Sequence, residues 1–176
     1  PRGLIDTNCW GTLNLLRSFP NARFINISSS AVNDIKSIYG ETKQFAESVS
    51  SLHDDSVNIR LYNVFGERRS LDYGAVLTNF IKSKRQGETP IIYGDGKQSR
   101  DFTYVADVVE NIRDIMLSSK TGLIHLGYGD SMSVIELLES VYGREPQYIQ
   151  AHKRDFEIVD SCAPYPMPIV LYGREK

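Results

Sequence analysis

The sequence predicts an α/β protein with a mostly parallel sheet covered by helices, and three observations predict it. Segments typical of strands alternate with segments typical of helices along most of the chain. The chain has 176 residues, 41% of them apolar, which is enough to bury a core. No internal repeat or low-complexity tract interrupts it. This length fits one domain, or one domain with a small appendage.

Each predicted element rests on a local pattern of apolar residues and breakers. Apolar residues at helical spacing predict helices over 4–19, 38–52, 74–85 and 107–117. Short apolar runs predict strands over 23–28, 57–65, 91–93, 122–129 and 146–152. Ser133 and Glu136 have the spacing of a capping box, which predicts a helix after them. Three prolines after residue 160 predict an extended tail.

The order of these elements predicts where chemistry takes place. Parallel sheets bind their ligands beyond the carboxyl ends of the strands. We therefore expect functional residues just after positions 27, 61 and 127.

Composition excludes several classes of function. Lys and Arg number 20 against 22 Asp and Glu, a net charge of −2, whereas a sequence-independent nucleic-acid binder carries a basic excess. No apolar stretch approaches the roughly 18 residues that span a bilayer. Cys9 and Cys162 are too few for a disulfide framework or a zinc site. We expect a cytoplasmic protein with no nucleic-acid, membrane or metal partner.

A Tyr-x-x-x-Lys pattern, Tyr39 to Lys43, lies in the helix predicted over 38–52. This spacing places both side chains on one face of a helix, and a nearby ammonium lowers the pKa of a phenol from its usual value near 10. Such a tyrosine can exchange a proton near neutral pH. A surface tyrosine stacked on a lysine stem has the same spacing. Serines 28–30, which end a predicted strand upstream, favour the catalytic interpretation because a hydroxyl there can hydrogen-bond a substrate oxygen.

Five segments in order resemble the extended short-chain dehydrogenase/reductases that act on nucleotide sugars, and are closest in motif to the UDP-glucose/UDP-galactose 4-epimerases. The segments are 7–16 (TNCWGTLNLL), 23–32 (RFINISSSAV), 59–66 (IRLYNVFG), 92–102 (IYGDGKQSRDF) and 104–108 (YVADV). The resemblance implies a Rossmann-like sheet with a small α/β substrate-binding region. It also implies NAD as the cofactor, with NADP left open, and a nucleotide sugar as the substrate.

The resemblance implies the catalytic roles. Tyr39 matches the general acid/base, and Lys43 matches the residue that tunes it and holds the nicotinamide ribose. Ser29 matches the catalytic hydroxyl, with Ser30 as the second choice and otherwise a substrate-binding residue. Dehydratases of this family add an acid and a base directly after that hydroxyl, where this chain has Ser30 and Ala31. The resemblance therefore favours an epimerase that removes and returns hydride at the sugar C4 over a 4,6-dehydratase or a 4-keto reductase.

The resemblance also implies two contacts with the nucleotide part of the substrate. Asn63 matches a residue near the diphosphate, and Arg100 matches an arginine that binds it, a role that suits a guanidinium. A salt bridge of Arg100 to Asp101 or Asp107 is the structural alternative. Asn8 falls where the family's helix supports the active site, and a plain buried polar role is the alternative.

The chain also departs from the family's pattern. No G-x-G-x-x-G or G-x-x-G-x-x-G fingerprint occurs in it. We therefore expect a truncated chain, with residues 1–66 forming the catalytic part of the nucleotide-binding domain. Residues 67–176 would form mainly the substrate region, with some segments returning to the first domain. We expect no turnover from these 176 residues alone, which leaves a degenerate, non-catalytic sugar-nucleotide-binding module as an alternative.

Three further expectations concern loops and assembly. Asn33-Asp34 stands where the family has Tyr-Gly, and the loop before Tyr39 is short. The segment 152–155 vaguely resembles one that binds the second phosphate, and a solvated basic turn is the better interpretation. Family members are commonly dimers through a helix pair, so the helices over 4–19 and 38–52 are the expected interface of a homodimer.

Overall fold

A computed structural model describes residues 1–68, 75–143, 146–151 and 160–164 of the chain. The helices are α1 (Arg2–Leu4), a π-helical segment (Ile5–Trp10), α2 (Gly11–Ser18), a 3₁₀ turn (Ser30–Val32), α3 (Ile38–Ser50), α4 (Val76–Gln86), α5 (Val105–Leu117) and α6 (Val134–Tyr142). The strands are β1 (Phe24–Ser29), β2 (Ser56–Leu61), β3 (Ile91–Tyr93), β4 (Ser99–Arg100), β5 (Gly122–Leu126), β6 (Met132–Ser133), β7 (Ile149–Ala151) and β8 (Asp160–Ser161). Within these described ranges, no helix is long and apolar enough to cross a membrane.

Strands β1, β2 and β5 form a three-stranded parallel sheet with β2 in the middle. Ser29 pairs with Leu61, and Leu61 pairs with Leu126, so the three strands end at the same edge. This arrangement confirms the α/β fold class and the mostly parallel sheet. It also places the positions after 27, 61 and 127 at one edge, as the element order predicts.

The two faces of this sheet differ in character. One face carries apolar residues that pack against Ile115 of α5. Its buried core consists of Val57, Ile59, Ile115 and Leu126. The opposite face presents polar residues to α3, among them the buried Asn26, Ser28 and Asn58.

A second core lies between α4, α6 and the short strands. Its buried members are Phe80, Ile92, Val134, Leu137 and Leu138. Strand β3 pairs with β7, while β4 lies between β6 and β8. The capping box at Ser133 is confirmed, because its Oγ accepts a hydrogen bond from the Glu136 backbone and the Glu136 carboxylate accepts one from the Ser133 backbone.

Two strand predictions were too long at their carboxyl ends. The strand predicted over 57–65 ends at Leu61. Phe65 then forms an isolated β-bridge with Tyr104. The strand predicted over 122–129 ends at Leu126, and the next residue lies close to the Asp101 side chain. A Cβ atom at Gly127 would lie 2.5 Å from an Asp101 carboxylate oxygen.

The helix bounds also shift slightly. The helix predicted over 4–19 begins at Arg2 and ends at Ser18, and its middle widens into the π-helical segment. The helix predicted from Asp107 begins at Val105 instead. Strands β4 and β6, of two residues each, were not predicted, because so short a run has no periodicity to detect.

Candidate active site

A cavity of about 770 Å³ opens at the carboxyl edge of the sheet. Five of the six residues proposed from the sequence line it: Ser29, Ser30, Tyr39, Lys43 and Asn63. They come from the end of β1, the start of α3 and the segment after β2, which meet because parallel strands end on one side.

The serines lie where β1 turns into the 3₁₀ segment. The Ser29 hydroxyl accepts a hydrogen bond from the Ala31 backbone at 3.2 Å and so caps that turn. Ser28 donates its hydroxyl proton to the Glu47 carboxylate at 2.5 Å. Both Ser29 and Ser30 border the cavity, so the choice between them stays a prediction.

Helix α3 presents Tyr39 and Lys43 to the cavity. It begins after Ser37, whose hydroxyl accepts a hydrogen bond from the Gly40 backbone at 3.1 Å. Gly40 permits a close approach, since a Cβ atom there would lie 2.8 Å from the Ala31 carbonyl oxygen. The start of the helix can therefore pack directly onto the turn that follows the serines.

The Lys43 ammonium lies 5.9 Å from the centre of the Tyr39 ring. It donates a hydrogen bond to the Ile27 carbonyl oxygen at 2.8 Å, which fixes the lysine to β1. Burial lowers the pKa of Lys43, because desolvation disfavours the ammonium. Tyr39 is 38% exposed, so its ring is open to a ligand in the cavity.

Asn8 supports the same helix from the π-helical segment. Its Nδ2 donates to the Thr42 hydroxyl at 2.9 Å, and Thr42 donates to the Tyr39 carbonyl oxygen at 3.0 Å. Asn8 therefore contacts the backbone that carries Tyr39 through one intermediate side chain.

Arg100 lies in a second cavity, of about 830 Å³. Its walls include the aromatic rings of Phe65, Phe102 and Tyr128, and Phe65 also borders the first cavity. The Arg100 Nη1 donates to its neighbour's carbonyl oxygen at 2.8 Å, and Asn63 donates to the Asp101 carbonyl oxygen at 3.1 Å. The two candidate substrate contacts thus lie beside adjoining cavities, on segments that are joined by a hydrogen bond.

Two acidic residues of this region were missed by sequence reasoning. Asp101 is fully buried, and its carboxylate accepts hydrogen bonds from the backbones of Tyr128, Gly129 and Ala163 at 3.0 to 3.1 Å. Glu67 lines the first cavity and accepts from the Tyr104 hydroxyl at 2.8 Å. Glu67 directly follows the N-V-F-G segment, which was the available signal. Asp101 lies within the segment 92–102, but its hydrogen-bond partners are distant in the chain and could not be predicted from that segment. The segment 152–155 lies outside the described residues.

Comparisons with known proteins bear on the family and the fold of the chain. Residues 1–125 match the family model described as the NAD dependent epimerase/dehydratase family. UDP-glucuronic acid decarboxylase 1 of Arabidopsis thaliana is 32% identical over 167 residues, which cover 80% of this chain and 38% of that protein.

Solved structures show the same fold. A UDP-N-acetylglucosamine 4-epimerase from Methanobrevibacter ruminantium, in complex with UDP-N-acetylmuramic acid, is 29% identical with a TM-score of 0.81, covering 92% of this chain and 61% of its own. MoeE5, in complex with UDP-glucose and NAD, is 25% identical with a TM-score of 0.77, covering 90% and 62%. The chain spans well under half the length of the decarboxylase and about three fifths of these two structures.

Proposed function

Because this chain belongs to the NAD-dependent epimerase/dehydratase family, we propose that it is the catalytic and sugar-binding part of a nucleotide-sugar epimerase. The observation that carries the proposal is the meeting of Ser29, Tyr39 and Lys43 at one cavity, although they come from different elements. The 4-epimerase neighbour, at 29% identity, supports the choice of reaction.

Tyr39 is the proposed acid/base. As a phenolate it takes the proton of the sugar 4-hydroxyl while the C4 hydrogen leaves as hydride, which produces a 4-keto sugar. Lys43 favours the phenolate by its charge, and Ser29 donates a hydrogen bond to the same sugar oxygen. The 4-keto sugar then rotates in the cavity, hydride adds to its other face, and Tyr39 returns the proton.

The described residues fit the nicotinamide-ribose end of NAD, the family's cofactor. Lys43 has three N–H donors, and the Ile27 carbonyl takes one, which leaves donors for ribose hydroxyls among the groups described. NAD, when bound, supplies the acceptor and then the donor of the hydride.

We assign Arg100 and Asn63 to the nucleotide diphosphate. A guanidinium suits a diphosphate because it forms two parallel hydrogen bonds to phosphate oxygens. The aromatic walls of the second cavity provide an apolar surface beside it. A substrate with its sugar near Tyr39 and its nucleotide near Arg100 would pass Phe65, which borders both cavities.

The test is product analysis with the full-length gene product, NAD and a panel of UDP-, GDP- and dTDP-sugars. We expect 4-epimerisation of one sugar, and a loss of about 10²- to 10⁴-fold in kcat for Tyr39→Phe. Tyr142→Phe, which removes a hydroxyl bonded to the Phe80 carbonyl oxygen far from the cavity, is the matched control. A 4-keto product that accumulates and never epimerises would refute the epimerase proposal.

Decarboxylation is the second candidate, because relatives that are 30–32% identical are UDP-glucuronic acid decarboxylases. A C4 ketone beside a C5 that bears a carboxylate is a β-keto acid, so the same first step prepares loss of carbon dioxide. Release of carbon dioxide from UDP-glucuronic acid would favour this reaction.

The absence of an acid/base pair at Ser30 and Ala31 argues against a 4,6-dehydratase. Tight sugar-nucleotide binding without turnover would instead indicate a non-catalytic module.

Two structural expectations remain proposals. The first is the division into a nucleotide-binding part, 1–66, and a mainly substrate-binding part, 67–176. Strand β5 lies beyond that boundary and pairs with β2, which supports the expected return of segments to the first part.

The second is a homodimer through the helices at 2–18 and 38–50. Exposed apolar side chains on them, including Trp10 and Phe45, support it. Sedimentation of the full-length protein tests the dimer.

A further inference from the structure

A chain of buried and half-buried hydrogen bonds links Glu47 of α3 to His125 of β5. The Arg60 guanidinium donates two bonds to the Glu47 carboxylate, at 2.9 and 2.6 Å. It also donates to the Asn33 Oδ1 at 2.7 Å. Asn33 Nδ2 lies 2.9 Å from the Tyr62 hydroxyl, which lies 2.7 Å from His125 Nδ1.

Arg60 fixes the orientation of Asn33. A guanidinium can only donate, so the Asn33 oxygen must face it and the Asn33 amide N–H must face Tyr62. The Tyr62 oxygen accepts from Asn33, and His125 Nδ1 is the acceptor that the structure describes for the buried phenol proton. With the proton in that bond, Nδ1 is unprotonated, and the ring proton of neutral His125 lies on Nε2.

Asn33 connects this chain to the candidate active site. It follows the turn that carries Ser29 and Ser30 and precedes the short stretch that leads to Tyr39. Its backbone N–H also donates to the Ser30 carbonyl oxygen at 2.9 Å. The asparagine therefore holds the loop between the two parts of the proposed catalytic group.

We propose that Asn33, Tyr62 and His125 are positioning residues, and that neutral His125 holds the Ser29–Tyr39 loop in its working geometry. The proposal rests on the proposed function and deepens it, since it names a pH-dependent control of the same site. Protonation would turn His125 Nδ1 into a donor, so Tyr62 would receive two donors and lose its acceptor.

The surroundings of the pair agree with a neutral imidazole. Burial lowers the pKa of His125 from its usual 6.5, and the positive charge of Arg60 lowers it further, against the opposing effect of Glu47. Burial raises the pKa of Tyr62, which keeps the phenol protonated. The other charged or titratable groups near Tyr62 are Asp101 and Cys162.

The first test does not depend on turnover. The ¹⁵N chemical shifts of the His125 ring in the full-length protein should show the neutral Nε2–H form at pH 7.5. Hydrogen exchange should show that amides 33–37 open more readily as the pH falls below the usual histidine pKa of 6.5 and, at every pH, in Tyr62→Phe. A protonated or Nδ1–H ring at pH 7.5, or unchanged loop exchange in Tyr62→Phe, would overturn the proposal.

The second test is the pH profile of the reaction. Tyr62→Phe should lower kcat about tenfold, because a shifted loop misplaces the reacting groups. His125→Asn offers a carbonyl acceptor that does not titrate, so it should stay within about threefold of the parent at pH 7.5. In this variant kcat should also lose the decrease that the parent shows below pH 6.5.

His53→Asn and Tyr142→Phe, which lie outside the chain of bonds, are the matched controls and should keep that decrease. If kcat of His125→Asn still decreased below pH 6.5 as in the parent, control of the loop by protonation of His125 would be contradicted. A further outcome is that the parent and the variants all lack enzymatic activity while the His125 tautomer and the exchange of amides 33–37 behave as expected. That result would refute the proposed function and leave the positioning network standing.

Discussion

The two faces of the β1-β2-β5 sheet bury side chains of opposite character. On one face Val57, Ile59 and Leu126 pack against α5, and their contribution depends on volume and shape. On the other face Arg60 and Asn58 meet α3 through directed hydrogen bonds. The apolar face stabilises the fold through the volume that it packs. Each hydrogen bond of the polar face requires a particular partner in a particular direction.

This difference matters because the polar face holds α3, the helix that carries Tyr39 and Lys43. Ser28, which borders the cavity, donates to Glu47 and so joins β1 to α3. A buried ion pair contributes little net stability, since desolvation of both ions offsets their attraction. The Arg60–Glu47 pair fixes α3, and hence Tyr39, relative to β2.

The largest expected effect is the removal of one ion from the polar face. Arg60→Met leaves the Glu47 carboxylate, whose side chain is 7% exposed, buried without its partner. We expect a loss of about 3–5 kcal/mol in the free energy of unfolding, measured by urea denaturation of the full-length protein.

Two variants test the reason for that loss. The double variant Glu47→Met with Arg60→Met should recover much of the stability, because no charge is then left buried. Arg113→Met removes an exposed pair with Glu110 and should change stability by at most about 1 kcal/mol. Equal losses for Arg60→Met and Arg113→Met would refute the distinction.

On the apolar face, a change of volume should dominate. Ile59 is fully buried, so Ile59→Ala should cost about 3 kcal/mol through lost transfer energy and a residual cavity. Ile59→Val, its matched control, should cost about 1 kcal/mol. Urea midpoints of both variants check this, and equal losses would show that packing volume does not set the stability of this face.

A neutral polar residue should have a smaller effect. Asn58 accepts hydrogen bonds from Asn26 and Ser50, at 2.7 and 2.6 Å. Asn58→Leu should cost about 2 kcal/mol, because it leaves the buried Asn26 amide without the acceptor that it has in the parent. The exposed Asn79 of α4 provides the control, since Asn79→Leu should alter the urea midpoint little. A stable Asn58→Leu would mean that the polar face tolerates apolar repacking.

The smallest expected effect is the pH dependence from His125. Its pKa is lower in the folded chain than the usual 6.5, so between the two values the unfolded chain binds more protons. Its stabilising contribution is therefore complete above pH 6.5 and is lost as the pH falls through the folded pKa. The difference in urea midpoint between the parent and His125→Asn, measured at pH 7.5 and pH 5, should reveal it. A difference that does not change with pH would contradict this account.

Much of the fold could be predicted, because local patterns carry it. The helix at α3 follows from its apolar spacing, and the site residues Tyr39 and Lys43 follow from their own separation on that helix. Strand ends were overestimated where apolar residues continue past the sheet, as Tyr62 does after Leu61: that ring is fully buried, but no longer in a strand.

Local patterns in the sequence specify the alternation of strands and helices, the polar residues that end β1 and the motif on α3, since each depends on neighbours a few residues apart. The pairing of Glu47 with Arg60 and of Tyr62 with His125, residues 13 and 63 positions apart, arises from the tertiary fold. Nothing in the local pattern specifies such partners, because a polar side chain in a strand can face solvent or a buried layer equally well. The packing of α3 onto the sheet removes water from that layer, and each polar group must then find its hydrogen bond within the protein.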